Sequence, residues 1–282
     1  MNQLPIETRA RILSCLVEGV SIRATARLCD VCISSVVKIQ VEAGQAAAEF
    51  QDRMFRNLNC KRLECDEIWS FCYAKEKNVP AKMRGKFGVG DVWTWTAIDA
   101  DSKLIPCWHV GERNGMAAYQ FMHDLASRLA NRVQLTTDGF RPYLQAVETA
   151  FGTEIDYAML VKIYGEGAQT EARYSPAECT GTKVTVVSGK PESGKISTSY
   201  MERANLNIRM GMRRFTRLTN AFSKKVENHG HALALYFYFY NFCRIHTTLR
   251  VTPAMQAGIA DRVWEMADLV REMDSPQDQK AA

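Results

Sequence analysis

Residues 61–74 read KRLECDEIWSFCYA, and the assignment of this run decides the fold. Upstream of it the apolar positions recur at helical spacing. From residue 61 polar and apolar side chains alternate, and β-branched and aromatic types dominate, which is the pattern of a strand. Two runs of the same kind follow, DVWTWTAIDADS at 91–102 and KLIPCWHVGER at 103–113, with turn-like GKFGVGD and DADSK as connections. Together they predict an antiparallel meander of three strands.

Downstream the period changes repeatedly. GMAAYQFMHDLASRLA (115–130) reads as a helix, RVQLTTDG (132–139) as a short buried strand ending in a turn, RPYLQAVETAF (141–151) as a helix and YAMLVKIYG (157–165) as a strand. The order βββαβαβ followed by helix implies a layered α/β or α+β domain; by analogy it is also the order of ribonuclease-H-like folds. A loop-rich insertion then spans 165–198 and includes the β-rich TKVTVVS (182–188). A long helix is expected from about Ser199 and another over HALALYFYFYNFCRI (231–245), with Thr252 as N-cap and Pro253 in the first turn of the last one.

Residues 5 to about 46 read as helical, interrupted at Gly19, with Ser21 placed to cap a new helix. SIRATARLCDVCISSVVKIQ (21–40) fits a helix-turn-helix: Ala26 is small at the helix crossing, Asp30 and Val31 fall in the turn, and Val36 and Ile39 anchor the second helix. That leaves Ser34, Ser35 and Lys38 to face DNA; an all-helical packing module would show the same spacing. The expected organisation is a helix-turn-helix region at 1–50, a linker at 51–59, a catalytic core at 60–228 and a C-terminal helical region at 229–282.

The chain of 282 residues, 46% hydrophobic and 24% charged, is composed as a globular protein, with no apolar run of membrane-spanning length and no signal-peptide pattern at MNQLPIETRARIL. Its nine cysteines are scattered, which suggests reduced thiols; Cys29 and Cys32 in CDVC have zinc-knuckle spacing without a second pair. The net charge of +5 is modest, but RANLNIRMGMRRFTRLTNAFSKK (203–225) carries no acidic residue and predicts a phosphate-binding surface. GKPESGKI (189–196) resembles a phosphate-binding loop only superficially: Ile196 stands where Ser or Thr would hold Mg²⁺, and Pro191 offers no amide hydrogen.

Three carboxylates stand out by position. Asp66 lies within the first strand, Asp138 at the C-terminal end of the fourth where open α/β sheets present a crevice, and Glu202 opens the basic helix. If the first and fourth strands are neighbours, two aspartates sit side by side and the helix adds a glutamate. Such a trio needs divalent cations, Mg²⁺ or Mn²⁺, and two ions suit in-line attack on a phosphodiester. Glu67, Asp99 and Asp101 compete for these assignments, and each acid alone could be a salt-bridge partner.

LECDEIWSF, LTTDGFRPY and SYMERANLNIRMGMRRFTRLTNAFSKKVE resemble the three blocks of bacterial insertion-sequence transposases with an Asp-Asp-Glu site, most closely the insertion-sequence-one family. GVSIRATARLCDVCISSV is similar to that family's helix-turn-helix, although the zinc-binding segment common in the family is not matched, and the Asp138 to Glu202 spacing is longer. The resemblance implies a ribonuclease-H-like (integrase-type) core in which Asp66, Asp138 and Glu202 bind the catalytic metals for nicking at transposon ends and strand transfer into target DNA. It also implies DNA contacts from Arg203, Asn205, Arg209, Arg213, Arg214, Lys224 and Lys225. NFCRIHTTLRVTPA (241–254) is similar to a downstream transposase segment in which Asn241, Arg244 and His246 support the site or the DNA, or simply pack in the core. The expected partners are double-stranded DNA and a second copy of the chain, without membrane, in the bacterial cytoplasm at the nucleoid. A non-catalytic DNA-binding regulator derived from a transposase is the alternative.

Overall fold

The computed structural model describes residues 3–165, 179–216 and 219–275. Three helices come first: α1 (Ile6–Val17), α2 (Ile22–Leu28) and α3 (Ile33–Met54). As expected, the Ser21 side chain accepts a hydrogen bond from the Ala24 amide and starts α2, while Asp30 takes a left-handed φ of 52° in the turn before α3. α3 runs without interruption to Met54, into the first part of the 51–59 stretch expected as a linker. Its second half buries Ala43, Ala47 and Phe50 in the same apolar core as the sheet, so the N-terminal helices are packed onto the rest of the chain.

The sheet follows as β1 (Arg62–Cys72), β2 (Gly90–Asp99) and β3 (Cys107–Gly111), then α4 (Gly115–Arg128), β4 (Val133–Thr137), α5 (Pro142–Phe151), β5 (Ile155–Tyr164) and β6 (Cys179–Ser188). The strand order is β3-β2-β1-β4-β5-β6. β1, β2 and β3 pair antiparallel as the meander predicted, β4 and β5 run parallel to β1, and β6 returns antiparallel to β5. The sequence expectation of a mixed α/β fold therefore holds. The stretch expected as loop-rich insertion contains β6; the remainder of it at 166–178 lies outside the described residues.

β1 is buried on both faces because helices cover both sides of the sheet. Its odd-numbered side chains Leu63 and Cys65 join a core with α4 and α5, while Ile68 joins a second core with Met201, Ala204 and Ile208 of α6 (Ser199–Gly211). α7 (Val226–Tyr238) lies between that second core and α3, so its apolar run HALALYFYFY is buried all round. Gly44 of α3 meets α7 where a Cβ would stand 2.5 Å from the carbonyl oxygen of His231; only glycine permits this crossing.

Two expectations are corrected. The helix beginning at Ser199 ends at Gly211, and the chain turns at Met212, so Arg213, Arg214, Lys224 and Lys225 do not extend its surface. The helix at Thr252 and Pro253, α8 (Pro253–Gln256), has the expected cap but is not the last, since α9 (Met266–Asp274) follows and packs on α1, where Arg9 pairs with Asp274. The glycine-rich loop carries no anion cradle. The Lys190 amide donates to Asp156 and the Glu192 amide to Gln134, which ties the loop to the start of β4 and β5.

Candidate metal centre and nucleic-acid interface

The ladder between β1 and β4 ends at the pair Cys65–Thr137. Beyond it β1 continues with no strand on that side, and the chain leaves β4 at Asp138. Asp66 and Asp138 are therefore brought next to each other at an open notch in the sheet. Strand alternation sends Asp66 and Glu67 to opposite faces, yet at this notch both reach the same space. Carboxylate oxygens of Asp66, Glu67 and Asp138 all lie within 4.8 Å of one another.

α6 closes the notch from the even-numbered face of β1. Glu64 anchors its first turn by accepting a hydrogen bond of 2.9 Å from the Met201 amide, and one turn later Asn205 donates to Asp66 at 2.9 Å. These two contacts fix the helix so that Glu202 lines the same cleft, of about 480 Å³, as Asp66, Glu67, Asp138, Asn205 and Arg209. The Glu202 carboxylate is turned to Lys162, at 2.6 Å, and accepts from Thr198. It stands apart from the tight group of three. Asn205, expected to contact DNA, is buried and orients Asp66 instead.

The electrostatics are those of an acid cluster short of cations. Burial, and then the charges of Asp138 and Glu202, push Asp66 up to about 6. Burial likewise pushes Glu67 up to about 7, against the Tyr143 hydroxyl and then Arg113, whose Nε lies 3.1 Å away. Arg113 also reaches Asp138 at 3.5 Å and packs on the Phe140 ring. One guanidinium thus serves two carboxylates while a third has only amide donors.

Hard oxygen donors on three chain segments, with the proton affinities of Asp66 and Glu67 raised chiefly by burial, suit a hard divalent cation such as Mg²⁺ or Mn²⁺. Glu67, Arg113 and Lys162 were not selected from the sequence as part of the site. The signal for Glu67 was an acid beside an acid in a run too apolar for a solvent-facing strand.

The basic residues divide by position. Arg203, Arg213, Lys224 and Lys225 are exposed. Arg214 turns inward, donating to Ser223 at 2.9 Å and Gln40 at 3.3 Å, and burial lowers its pKa. It links α3 to the segment before α7 rather than facing DNA. On α3, Ser34 and Lys38 are exposed and Ser35 is half-buried, with both hydroxyls 3.0 Å from the Cys32 sulfur and Lys38 3.7 Å from Glu42. Those hydrogen bonds pull the Cys32 thiol down to about 7. Asn241 is fully buried and brackets the backbone of Ile105 with two hydrogen bonds of 3.0 Å, a packing role. No helix among the described residues is long and apolar enough to cross a membrane.

No protein-family model matches this sequence, and no curated protein is significantly similar to it.

Proposed function

We propose that this chain is a transposase of the Asp-Asp-Glu type, which cleaves DNA strands at the ends of a mobile element and joins them to target DNA, on a ribonuclease-H-like core. The observation that carries the reading is the convergence on one cleft of Asp66 from the central strand, Asp138 from the end of its parallel neighbour and Glu202 from the crossing helix. The strand order supports it, with the meander on one side of β1 and β4 and β5 parallel on the other.

In this reading Asp66 and Asp138 would hold divalent metal, with Glu202 completing the set once released from Lys162 and Glu67 close at hand. Such metals would supply Lewis acidity toward the phosphodiester. The protein orients the carboxylates: Asn205 fixes Asp66, and Arg113 holds Asp138 while partly offsetting the charge of Glu67. Arg203, Arg213, Lys224 and Lys225 offer exposed positive charge for DNA phosphates. α2 and α3 act as a helix-turn-helix presenting Ser34 and Lys38. Bringing two element ends together calls for at least a dimer.

The test is nicking of supercoiled plasmid with Mn²⁺ or Mg²⁺ by the wild type and by Asp66→Asn, Asp138→Asn and Glu202→Gln, alongside gel-shift assays. The reading expects loss of nicking with DNA affinity retained. Nicking that survives all three substitutions refutes it; DNA binding without any metal-dependent nicking by the wild type points to the non-catalytic regulator.

A further inference from the structure

The flank of α6 opposite the carboxylate cleft lines a second, smaller pocket of about 310 Å³. Helical geometry separates the two sites cleanly. Glu202, Asn205, Leu206 and Arg209 form the stripe facing the cleft, while Tyr200, Arg203, Ala204 and Asn207 lie on the opposite flank of the helix and face the pocket. The opposite wall comes from Lys103, in the turn between β2 and β3, and from residues 244–248 after α7, namely Arg244, Ile245, His246, Thr247 and Thr248. No carboxylate lines it.

Among the described residues no carboxylate forms an ion pair with Lys103, Arg203 or Arg244, although Lys103 feels the charges of Glu64 and Asp101. The nearest acids are already engaged: Glu64 accepts from the Met201 amide and Asp101 pairs with Arg62. Lys103 is buried, held by the Ala100 carbonyl and by the Tyr200 ring, whose centroid is 3.3 Å from Nζ. The Nδ1 atom of His246 is buried without a hydrogen-bond partner, and burial, then Lys103 and Arg244, lower the affinity of its ring for a proton. The loop is built to stay in place, since the His246 amide bonds the Val251 carbonyl and the Arg250 amide bonds the His246 carbonyl. Like charges gathered on a fixed scaffold, with an orphaned ring nitrogen and threonine and amide side chains on the wall, favour a compact polyanion.

We propose that this pocket holds a phosphate group of a nucleic-acid strand whose neighbouring segment occupies the carboxylate cleft. The strand assignment rests on the function proposed above. α6 with its side chains is about 10 to 12 Å across, and a nucleic-acid strand advances about 3.4 Å per nucleotide. The captured phosphate therefore belongs at least about three nucleotides from the one placed at Asp66 and Asp138, because the strand has to pass around the helix. A contact there sets which bond is presented without touching the reacting atoms.

The test uses the full chain in chelator, so that no cleavage enters the readout. Inorganic pyrophosphate is titrated by calorimetry, with the His246 imidazole followed by proton NMR and its signal assigned by its absence in His246→Gln. A short single-stranded oligonucleotide then serves as competitor. Saturable binding is expected, weakened about tenfold or more in Arg244→Ala and less in Arg244→Lys, with a rise in the His246 pKa and displacement by the oligonucleotide. Absence of binding, or equal binding by Arg244→Ala in a folded protein, overturns the site. Pyrophosphate binding that the oligonucleotide cannot displace overturns the strand assignment in favour of a small phosphate ligand. Because no metal is present, either failure is separable from the loss of nicking expected of Asp138→Asn.

Discussion

Replacing Asp66 with Asn should stabilise the metal-free protein while removing its activity. Asp66 is pushed up to about 6 by burial and by Asp138 and Glu202, whereas an aspartate in the unfolded chain titrates near 3.9. The folded state therefore holds the proton more tightly. Stability is greatest when the group is protonated in both states and falls as pH rises from about 4 to about 6. A shift of about two units corresponds to about 3 kcal/mol of ionisation cost at pH 7.5. Against this, an amide facing Asn205 loses a hydrogen bond that contributes about 1 kcal/mol. The net gain is about 2 kcal/mol, or roughly 3 to 4 °C in Tm for a chain of 282 residues. Thermal unfolding in chelator at pH 7.5 and pH 4 checks it. The gain should be present at pH 7.5 and absent or reversed at pH 4. Equal melting of the two proteins at pH 7.5, or the same gain at both pH values, refutes the argument that burial and the neighbouring carboxylates penalise the charged form of Asp66.

Divalent metal should bind more tightly as pH rises through about 6 to 7, where Asp66 and Glu67 give up their protons; calorimetry with Mn²⁺ showing no change between pH 5.5 and 8 contradicts this. Gly44→Ala should cost about 1 to 3 kcal/mol or more by driving a methyl into the His231 backbone, read by denaturant unfolding against Gly194→Ala, where nothing lies within 4 Å and little change is expected. Arg214→Ala should lower stability by about 1 to 3 kcal/mol by leaving Gln40 and Ser223 without their donor. Arg213→Ala should leave stability within about 0.5 kcal/mol but flatten the dependence of DNA affinity on log salt by about 0.9. The reverse pattern would show that the inward and outward arginines have been exchanged.

The strands were legible because KRLECDEIWSFCYA and its successors differ so sharply in period from the helices around them, and Asp138 was legible from its place before a glycine at a strand end. Glu67 was not, because alternation assigns consecutive residues to opposite faces and only the early end of β4 lets both acids share one space. The end of α6 was missed although Gly211 in RMGMRRFTR is a poor helix former, because a lone glycine is tolerated inside a helix. The chain turns where Gly211 lies so close to α7 that a Cβ would come within 2.9 Å of the Tyr236 ring. β6 read as β-rich without showing where it pairs, since both its faces are largely exposed and no apolar face marked its place.

The central claim is that Asp66, Asp138 and Glu202 act together on DNA phosphodiesters. Its most direct test is incubation of the purified chain with the DNA flanking its own gene and Mg²⁺, with mapping of every nick to the nucleotide. The account predicts metal-dependent nicks at the element's two ends, lost in Asp138→Asn and in chelator. Failure of the wild type to nick either end, or identical nicks from Asp138→Asn, would contradict it.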